Sequence, residues 1–406
     1  MSANETPVRV MLVGIGGYGN MYVNAMLDHG AAHGAQLVAA VDPAPRQCGR
    51  LNELTARGVP LLASLDEALE TIPADLVVLS TPIALHAPQT CAALAKGAHV
   101  LCEKPLCGSL DDARAMLAAR ERAGRQVAIG YQWSFSDAVL SLKQDILAGR
   151  LGAPRRLKTL VLWPRALSYY ARNRWAGRLR DDRGGWVLDS PLNNVTAHYL
   201  HNMLFLLGDR IDRSLRPATL TAELYRAIAI ENYDTAVVRT STPDGAEVFM
   251  ATAHPVDRHV GPVCRFEFEK AVVTYGETED KCFVARFTNG EVKNYGVPEG
   301  VNNKLWTTIA CMRSGAPVPC GIETALSQTV CMVGAQQSSV ITPFPERLVR
   351  RESRPDNDTL VYVEGLGATL QSCYDQAALP SEMGVPWAQA GRSVELAPLF
   401  GAVGCA

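Results

Sequence analysis

The sequence predicts an α/β domain built on a doubly wound parallel sheet, followed by an α+β domain with an open, mostly antiparallel sheet. Three observations predict it. A glycine-rich turn, Gly14-Ile15-Gly16-Gly17-Tyr18-Gly19, sits between an apolar strand and a helix. Strand and helix patterns then alternate up to about residue 133, which is the signature of parallel strands joined by crossover helices. Beyond Gln132 the pattern changes to consecutive strands separated by turns such as Pro243-Asp244-Gly245 and Asn289-Gly290, as in hairpins. A chain of 406 residues suits two or three domains. The expected division is 1–133, 134–350 and a C-terminal extension, 351–406.

In the first domain, Val8–Val13 is apolar almost throughout, as expected of a central strand covered on both faces. The turn that follows fits G-x-G-x-x-G, and Met21–His29 reads as a helix. In such a turn the first glycine permits the tight bend. The second lets a pyrophosphate approach the backbone, and the third lets helix and strand pack closely, while the helix N-terminus supplies N–H donors. Gln36–Val41 is a second strand ending at Asp42, whose carboxylate suits ribose hydroxyls and repels a 2′-phosphate, so NAD(H) is expected over NADP(H). Arg46, four residues on, is the one feature that favours NADP(H), and it reads as a solvated side chain.

Helices follow at Gly49–Arg57 and Leu65–Glu70, with strands at Leu61–Leu62 and Leu76–Ser80. Thr81-Pro82 falls at the carboxyl end of its strand, where open α/β sheets bind ligands, and His86 lies one turn later. After a helix at Ala87–Lys96, Val100-Leu101-Cys102 reads as a buried strand that runs into Glu103-Lys104-Pro105. Proline lacks an N–H and fixes its own φ, so Pro105 ends the strand and sets the direction of Lys104. A helix at Leu110–Gly124 and a strand at Gln126–Ile129 complete the unit near Tyr131-Gln132-Trp133.

These motifs, in this order and spacing, resemble the Gfo/Idh/MocA family of nicotinamide-dependent oxidoreductases. The resemblance covers the first ~133 residues, and its most specific mark is Glu103-Lys104-Pro105. It implies a dinucleotide-binding Rossmann domain with cofactor contacts from Gly14, Ile15, Gly16, Gly17, Tyr18, Gly19, Asp42, Thr81, Pro82, His86, Glu103 and Gln132. It also implies a Lys104 that touches the substrate hydroxyl beside the nicotinamide, and a second-domain helix that carries a histidine into the same cleft. The Lys104-Pro105 bond is a candidate for cis.

In the second domain a helix at Ser136–Gly149 precedes strands at Arg155–Trp163, Ala218–Tyr225, Thr235–Thr242, Glu247–Ala253, Cys264–Phe268, Ala271–Tyr275 and Cys282–Thr288. Gly184-Gly185-Trp186-Val187-Leu188-Asp189 leads into an expected helical run through Leu207. Asn194, His198 and His201 share one face of it. The family segment has an aspartate four residues before the histidine and an acid three residues after it. Here those positions hold Asn194 and His201. Asparagine orients a histidine but adds no charge, and Asp189 is the nearest carboxylate that can substitute. Catalytic roles are expected for Lys104, His198 and Asn194. Substrate contacts are expected from Lys104, His201 and the aromatic and arginine-dense stretch after residue 162, with Trp163, Arg165 and Trp175 foremost.

Helices are expected at Lys304–Arg313 and Glu323–Ile341. The tail has one apolar helix, Leu366–Ala377, and packs on the body or builds an oligomer contact, so a homo-oligomer is expected. Arg347–Arg354 is interrupted by Glu352 and Ser353 and reads as a solvated loop.

Composition narrows the function classes. With 48% hydrophobic and 20% charged residues and a net charge of −2, nothing favours nucleic acid or an acidic membrane as partner. Met1–Pro7 lacks the pattern of a secretory signal, and no apolar run approaches the ~18 residues of a membrane span. The 11 cysteines include no C-x-x-C pair, which suits free thiols in a reducing cytoplasm. No carboxylate falls at a metal-binding interval from His198 and His201, so no metal is expected. The expected chemistry is NAD(H)-dependent oxidation of a secondary alcohol on a sugar, cyclitol or related polyol, or the reverse reduction. An NAD-dependent glycoside hydrolase or lyase that recycles its cofactor, and a dinucleotide-binding regulator, are the alternatives.

Overall fold

The structure, a computed structural model, describes residues 6–279 and 281–404. Met1–Glu5, most of the stretch read for a signal, and Cys405 lie outside the described residues. The chain forms two compact units.

The first unit holds six parallel strands, β1 (Val8–Val13), β2 (Ala35–Val41), β3 (Leu61–Leu62), β4 (Leu76–Leu79), β5 (His99–Cys102) and β6 (Val127–Ile129), in the order β3-β2-β1-β4-β5-β6. Val10, Leu76, Leu79, Val100 and Leu101 are fully buried because helices cover both faces, which explains the unbroken apolar runs. Register places the strand ends along one edge: Val13 pairs with Val41 and Leu79, Leu79 with Cys102, and Cys102 with Ile129. The residues that follow these strands, Gly14, Asp42, Ser80, Glu103 and Gly130, therefore emerge on that edge, with Thr81 next to Ser80. The helix after β4 starts at Ile83 rather than Ala87, with Pro82 as its N-cap, so His86 is helical.

The second unit is built on a mixed sheet of β7 (Pro154–Leu162), β8 (Thr219–Arg226), β9 (Thr235–Ser241), β10 (Glu247–Ala253), β11 (Val260–Phe268), β12 (Ala271–Tyr275), β13 (Phe283–Phe287), β14 (Val292–Gly296) and β15 (Ile341–Pro343), ordered β14-β13-β12-β11-β7-β10-β9-β8-β15. Most neighbours are antiparallel, but β7 runs parallel to β10, with Leu162 opposite Ala253, and β15 runs parallel to β8. The solvated loop predicted from sequence over Arg347–Arg354 is instead largely a strand: β16 (Val349–Ser353) pairs with β17 (Thr359–Val363). Its arginines and acids line an exposed two-stranded ribbon, where alternation carries no apolar signal.

The C-terminal tail belongs to this unit. Its helix Leu366–Gln376 packs on β7 and β10, burying Leu366, Leu370 and Cys373 against Leu160, Leu162, Phe249 and Ala251. Lys158 caps the helix by donating to the carbonyls of Tyr374 and Asp375, both at 2.9 Å, where the helix dipole favours a cation. Further on, β18 (Val394–Glu395) pairs with β8.

The division is not the simple succession predicted from sequence. Residues 300–325 return to the first unit, where Ile129 N–H donates to Cys320 O at 2.8 Å, Arg120 forms a bidentate pair with Glu323, and Trp306 stacks on His33 at 4.0 Å.

Candidate active site

The glycine turn has the shape a dinucleotide pyrophosphate requires. Gly14 has φ +80°, and a Cβ there would lie 2.4 Å from Ser80 O; a Cβ on Gly19 would lie 1.9 Å from Gly14 O. Neither position accepts another residue. The main chain of Gly17 is open, with nothing within 4 Å of its Cβ position. Asp42 accepts from the N–H groups of Ile15 at 2.9 Å and Gly16 at 3.2 Å, and its other oxygen accepts from Ala44 at 2.8 Å. The carboxylate therefore stands at the mouth of the turn and braces it. Asn20, not foreseen from sequence, accepts from Gly49 N–H and donates to Gly17 O and Gln47 O, tying the turn to the loop after β2. Arg46 is exposed.

The Glu103-Lys104-Pro105 turn leaves β5 on the same edge, with the Lys104-Pro105 bond cis and Lys104 half-buried. Two supports hold it. His86, expected to touch cofactor, is 1% exposed, and its ring nitrogens face Pro105 O at 2.8 Å and Thr81 O at 3.0 Å. It is a strut between the turns after β4 and β5, and burial pushes its pKa down. Glu103 is also buried. It accepts from Tyr22 Oη at 2.6 Å and Lys104 N–H at 3.2 Å, and pairs with Lys304, which is fully buried at the start of the helix Asn303–Ser314. Lys304 donates in turn to Tyr18 Oη at 2.9 Å, and Tyr18 reaches Gln132 Oε1 at 3.4 Å. A Cβ on Gly130 would lie 2.9 Å from Glu103 Oε2, so a glycine after β6 makes room for this carboxylate.

Tyr18, Gln132, Glu103 and Lys304 thus form one connected network. Burial lowers the Lys304 pKa and the adjacent Glu103 charge raises it, the former prevailing. Lys304 and Tyr22 were missed because nothing in the sequence connects position 304 with position 103. Thr81 donates its hydroxyl to Gln89 at 2.6 Å, and Pro82 is exposed beside it.

In the second unit the expected helix through Gly184–Leu207 is shortened to Ala197–Leu206. Turns at 191–196 precede it, and Leu188 holds φ +47°, a strained conformation for a γ-branched residue. Asp189, 2% exposed, accepts from Asn194 Nδ2 at 2.7 Å and Gly177 N–H at 2.6 Å. The carboxylate missing from position 194 is therefore supplied five positions earlier, by Asp189, which holds the amide. Asn194 and His198 are half-buried.

His201 does not join them as an accessible side chain. It is 1% exposed, stacks on Phe205 at 5.9 Å, and burial, with Lys143 nearby, pushes its pKa down to about 3. A core imidazole kept neutral is the outcome, because three residues along a helix is close to a shared face but here crosses from surface to core. Trp163, Arg165 and Trp175 are half-buried. Trp163 stands edge-on to Tyr199, the neighbour of His198, at 5.9 Å, and donates its indole N–H to Gly261 O at 3.1 Å. Trp175 lies 5.5 Å from the Arg172 guanidinium. Among the described residues no group of three His, Cys, Asp or Glu is placed to hold a metal, and no helix is long and apolar enough to cross a membrane.

Residues 8–131 match the family described as "Oxidoreductase family, NAD-binding Rossmann fold", GFO_IDH_MocA. The chain is 32% identical over 151 residues to 1,5-anhydro-D-fructose reductase of Ensifer adhaerens, covering 36% of this chain and 42% of that one. It is 30% identical over 155 residues to inositol 2-dehydrogenase of Rubrobacter xylanophilus, covering 38% and 44%. These alignments span less than half of either relative. Among solved structures, the WlbA dehydrogenase of Bordetella pertussis, in complex with NADH and UDP-GlcNAcA, superposes with a TM-score of 0.66 at 23% identity, over 81% of this chain and 97% of that one. This last likeness concerns the fold. Residues 8–131, with the glycine turn, the Glu103-Lys104-Pro105 turn and the strand order all in place, thus match the NAD-binding Rossmann domain of the Gfo/Idh/MocA oxidoreductase family.

Proposed function

We propose that the protein is an NAD(H)-dependent oxidoreductase that moves a hydride to or from a secondary-alcohol carbon of a sugar, cyclitol or related polyol. The observation that carries this reading is the Glu103-Lys104-Pro105 turn, braced by His86 and the buried Lys304 on the sheet edge that also bears the glycine turn. A lysine held on such a support keeps a fixed direction, which is what positioning a reacting oxygen demands. Names of the aligned relatives, a reductase of an anhydro sugar and a dehydrogenase of inositol, support the substrate class.

The glycine turn, with no room for side chains at Gly14 and Gly19, fits a dinucleotide pyrophosphate. Asp42 would take ribose hydroxyls and repel a 2′-phosphate, which favours NAD(H). When bound, the nicotinamide supplies the hydride acceptor or donor. Lys104 would donate a hydrogen bond to the alcohol oxygen and stabilise the negative charge that develops there. His198 would take the hydroxyl proton, and Asn194, held by Asp189, would orient its ring.

The test is a panel of polyols, sugars and glycosides with the full chain and NAD. NADH formed in a one-to-one ratio with a carbonyl product supports the proposal. A cleaved glycoside without net NADH, or cofactor binding with no hydride transfer to any compound, overturns it.

A further inference from the structure

The parallel pair β7 and β10 ends on one edge of the second unit, and each strand delivers a basic side chain there. Arg165 follows β7 by three residues, and His254 follows β10 directly; Arg165 N–H donates to His254 O at 3.3 Å, which fixes the two segments side by side. Arg172 comes from the short helix that follows. Its guanidinium lies 3.7 Å from the Tyr169 ring centre, and that of Arg165 lies 5.0 Å from the same ring. Two guanidinium groups are therefore gathered on one tyrosine.

Neither has a carboxylate partner among the described residues. The carboxylates around the cluster are taken up elsewhere: Asp358 by the Ser168 hydroxyl and N–H and by Thr359 N–H, Asp189 by Asn194 and Gly177 N–H, and Asp234 by the N–H groups of Ala227 and Ile228. Arg165 Nε is buried with no hydrogen-bond partner among the described residues, and so is His254 Nε2, on a side chain only 2% exposed. Tyr170 Oη lies 2.7 Å from His254 Nδ1. With the phenol donating to Nδ1, the ring proton sits on Nε2, which becomes a donor. Burial and the two arginines push the His254 pKa down, so the ring is a neutral donor rather than a third cation.

Like charges brought together beside buried donors without acceptors need an anion to complete them. A guanidinium fork matches the oxygen pair of a carboxylate or phosphate. Trp163, 5.8 Å from the Arg165 guanidinium, gives the cluster a flat apolar wall and connects it to Tyr199, next to His198. We propose that Arg165, Arg172 and His254 form an oxyanion subsite, and that the substrate is a cyclic polyol bearing a carboxylate or phosphate group rather than a neutral sugar. This rests on the polyol reading above, because the subsite adjoins the helix assigned to proton transfer.

Calorimetry on the NADH-loaded full chain tests it without requiring turnover, so that it can fail independently of the redox assignment. The probes are three hexuronates and three hexose 1-phosphates, each against its parent hexose. The best anion should bind at least about tenfold tighter than the best neutral hexose, the usual weight of one charge-assisted hydrogen-bonded pair. Whether a uronate or a phosphate leads identifies the source of the oxyanion. In the Arg165→Ala/Arg172→Ala double variant that ratio should fall to within about twofold, while Arg165→Lys keeps part of it. Thermal melts confirm that each variant is folded. Equal binding of anionic and neutral probes by the wild-type chain, or a ratio that survives the double substitution, overturns the proposal.

Discussion

Replacing Lys304 by methionine removes the cation from a pair that is buried on both sides, with side-chain exposure of 0% for Lys304 and 8% for Glu103. Breaking a buried pair from one side costs ~3–5 kcal/mol, because the remaining charge is left uncompensated. Glu103 keeps two donors, Tyr22 Oη at 2.6 Å and Lys104 N–H at 3.2 Å, which places the loss at the low end. The expected destabilisation is about 3 kcal/mol, roughly a 150-fold fall in the folded-to-unfolded ratio. Urea unfolding followed by fluorescence measures it. Lys304→Met combined with Glu103→Gln removes both charges and keeps the acceptor for Tyr22, so the double variant should recover about 2 kcal/mol relative to the sum of the singles. A single-variant loss below about 1 kcal/mol, or strict additivity in the cycle, would refute the claim that Lys304 buttresses the Glu103-Lys104-Pro105 turn.

Other perturbations probe separate links. Asp42→Ser removes the charge at the mouth of the glycine turn and should raise NADP(H) affinity relative to NAD(H) by about tenfold, measured by titration of both cofactors. His86→Ala leaves the carbonyls of Thr81 and Pro105 without their buried partner; it should lower turnover by about tenfold through a misdirected Lys104, with a smaller change in NADH affinity. Equal losses in both would show that His86 serves the cofactor site instead. Asp234 is buried, which pushes its pKa up to about 6 against the opposing effect of the Ile228 and Ala227 N–H groups and the Thr235 hydroxyl. A raised carboxyl pKa stabilises the fold below about pH 4, and that contribution is lost as pH rises through about 6. Wild-type stability minus that of Asp234→Asn should therefore fall by up to about 3 kcal/mol over this window, read from urea midpoints at each pH.

The first unit was legible because its signals are local. Gly14, Gly19 and Pro105 occupy positions that only their own backbone properties suit, and the apolar strands between them have a clear period. The second unit was legible as strands, but the helix carrying His198 begins later than its apolar pattern predicts. Pro191 and the strained Leu188 hold the chain in turns up to Thr196. That shift leaves Asn194 off the helix, where it meets Asp189, while His201, three residues past His198 on the same helix, falls on its buried side. His86 shows a second limit: a histidine near a strand end reads as a ligand contact, whereas its partners are carbonyls that no side-chain pattern records. Lys304 and His254 depend on contacts across 201 and 84 residues of sequence, with Glu103 and Tyr170, and no periodicity reports such pairs.

The most direct test of the central claim is single-turnover hydride transfer by Lys104→Ala beside the wild-type chain, using whichever polyol the panel identifies and monitoring NADH. A rate loss of at least ~10²-fold, with NADH affinity changed less than about threefold, is expected for a residue that acts on the reacting oxygen. Turnover retained within about threefold of wild type would contradict it, since Lys104 would then be a structural cation on the sheet edge.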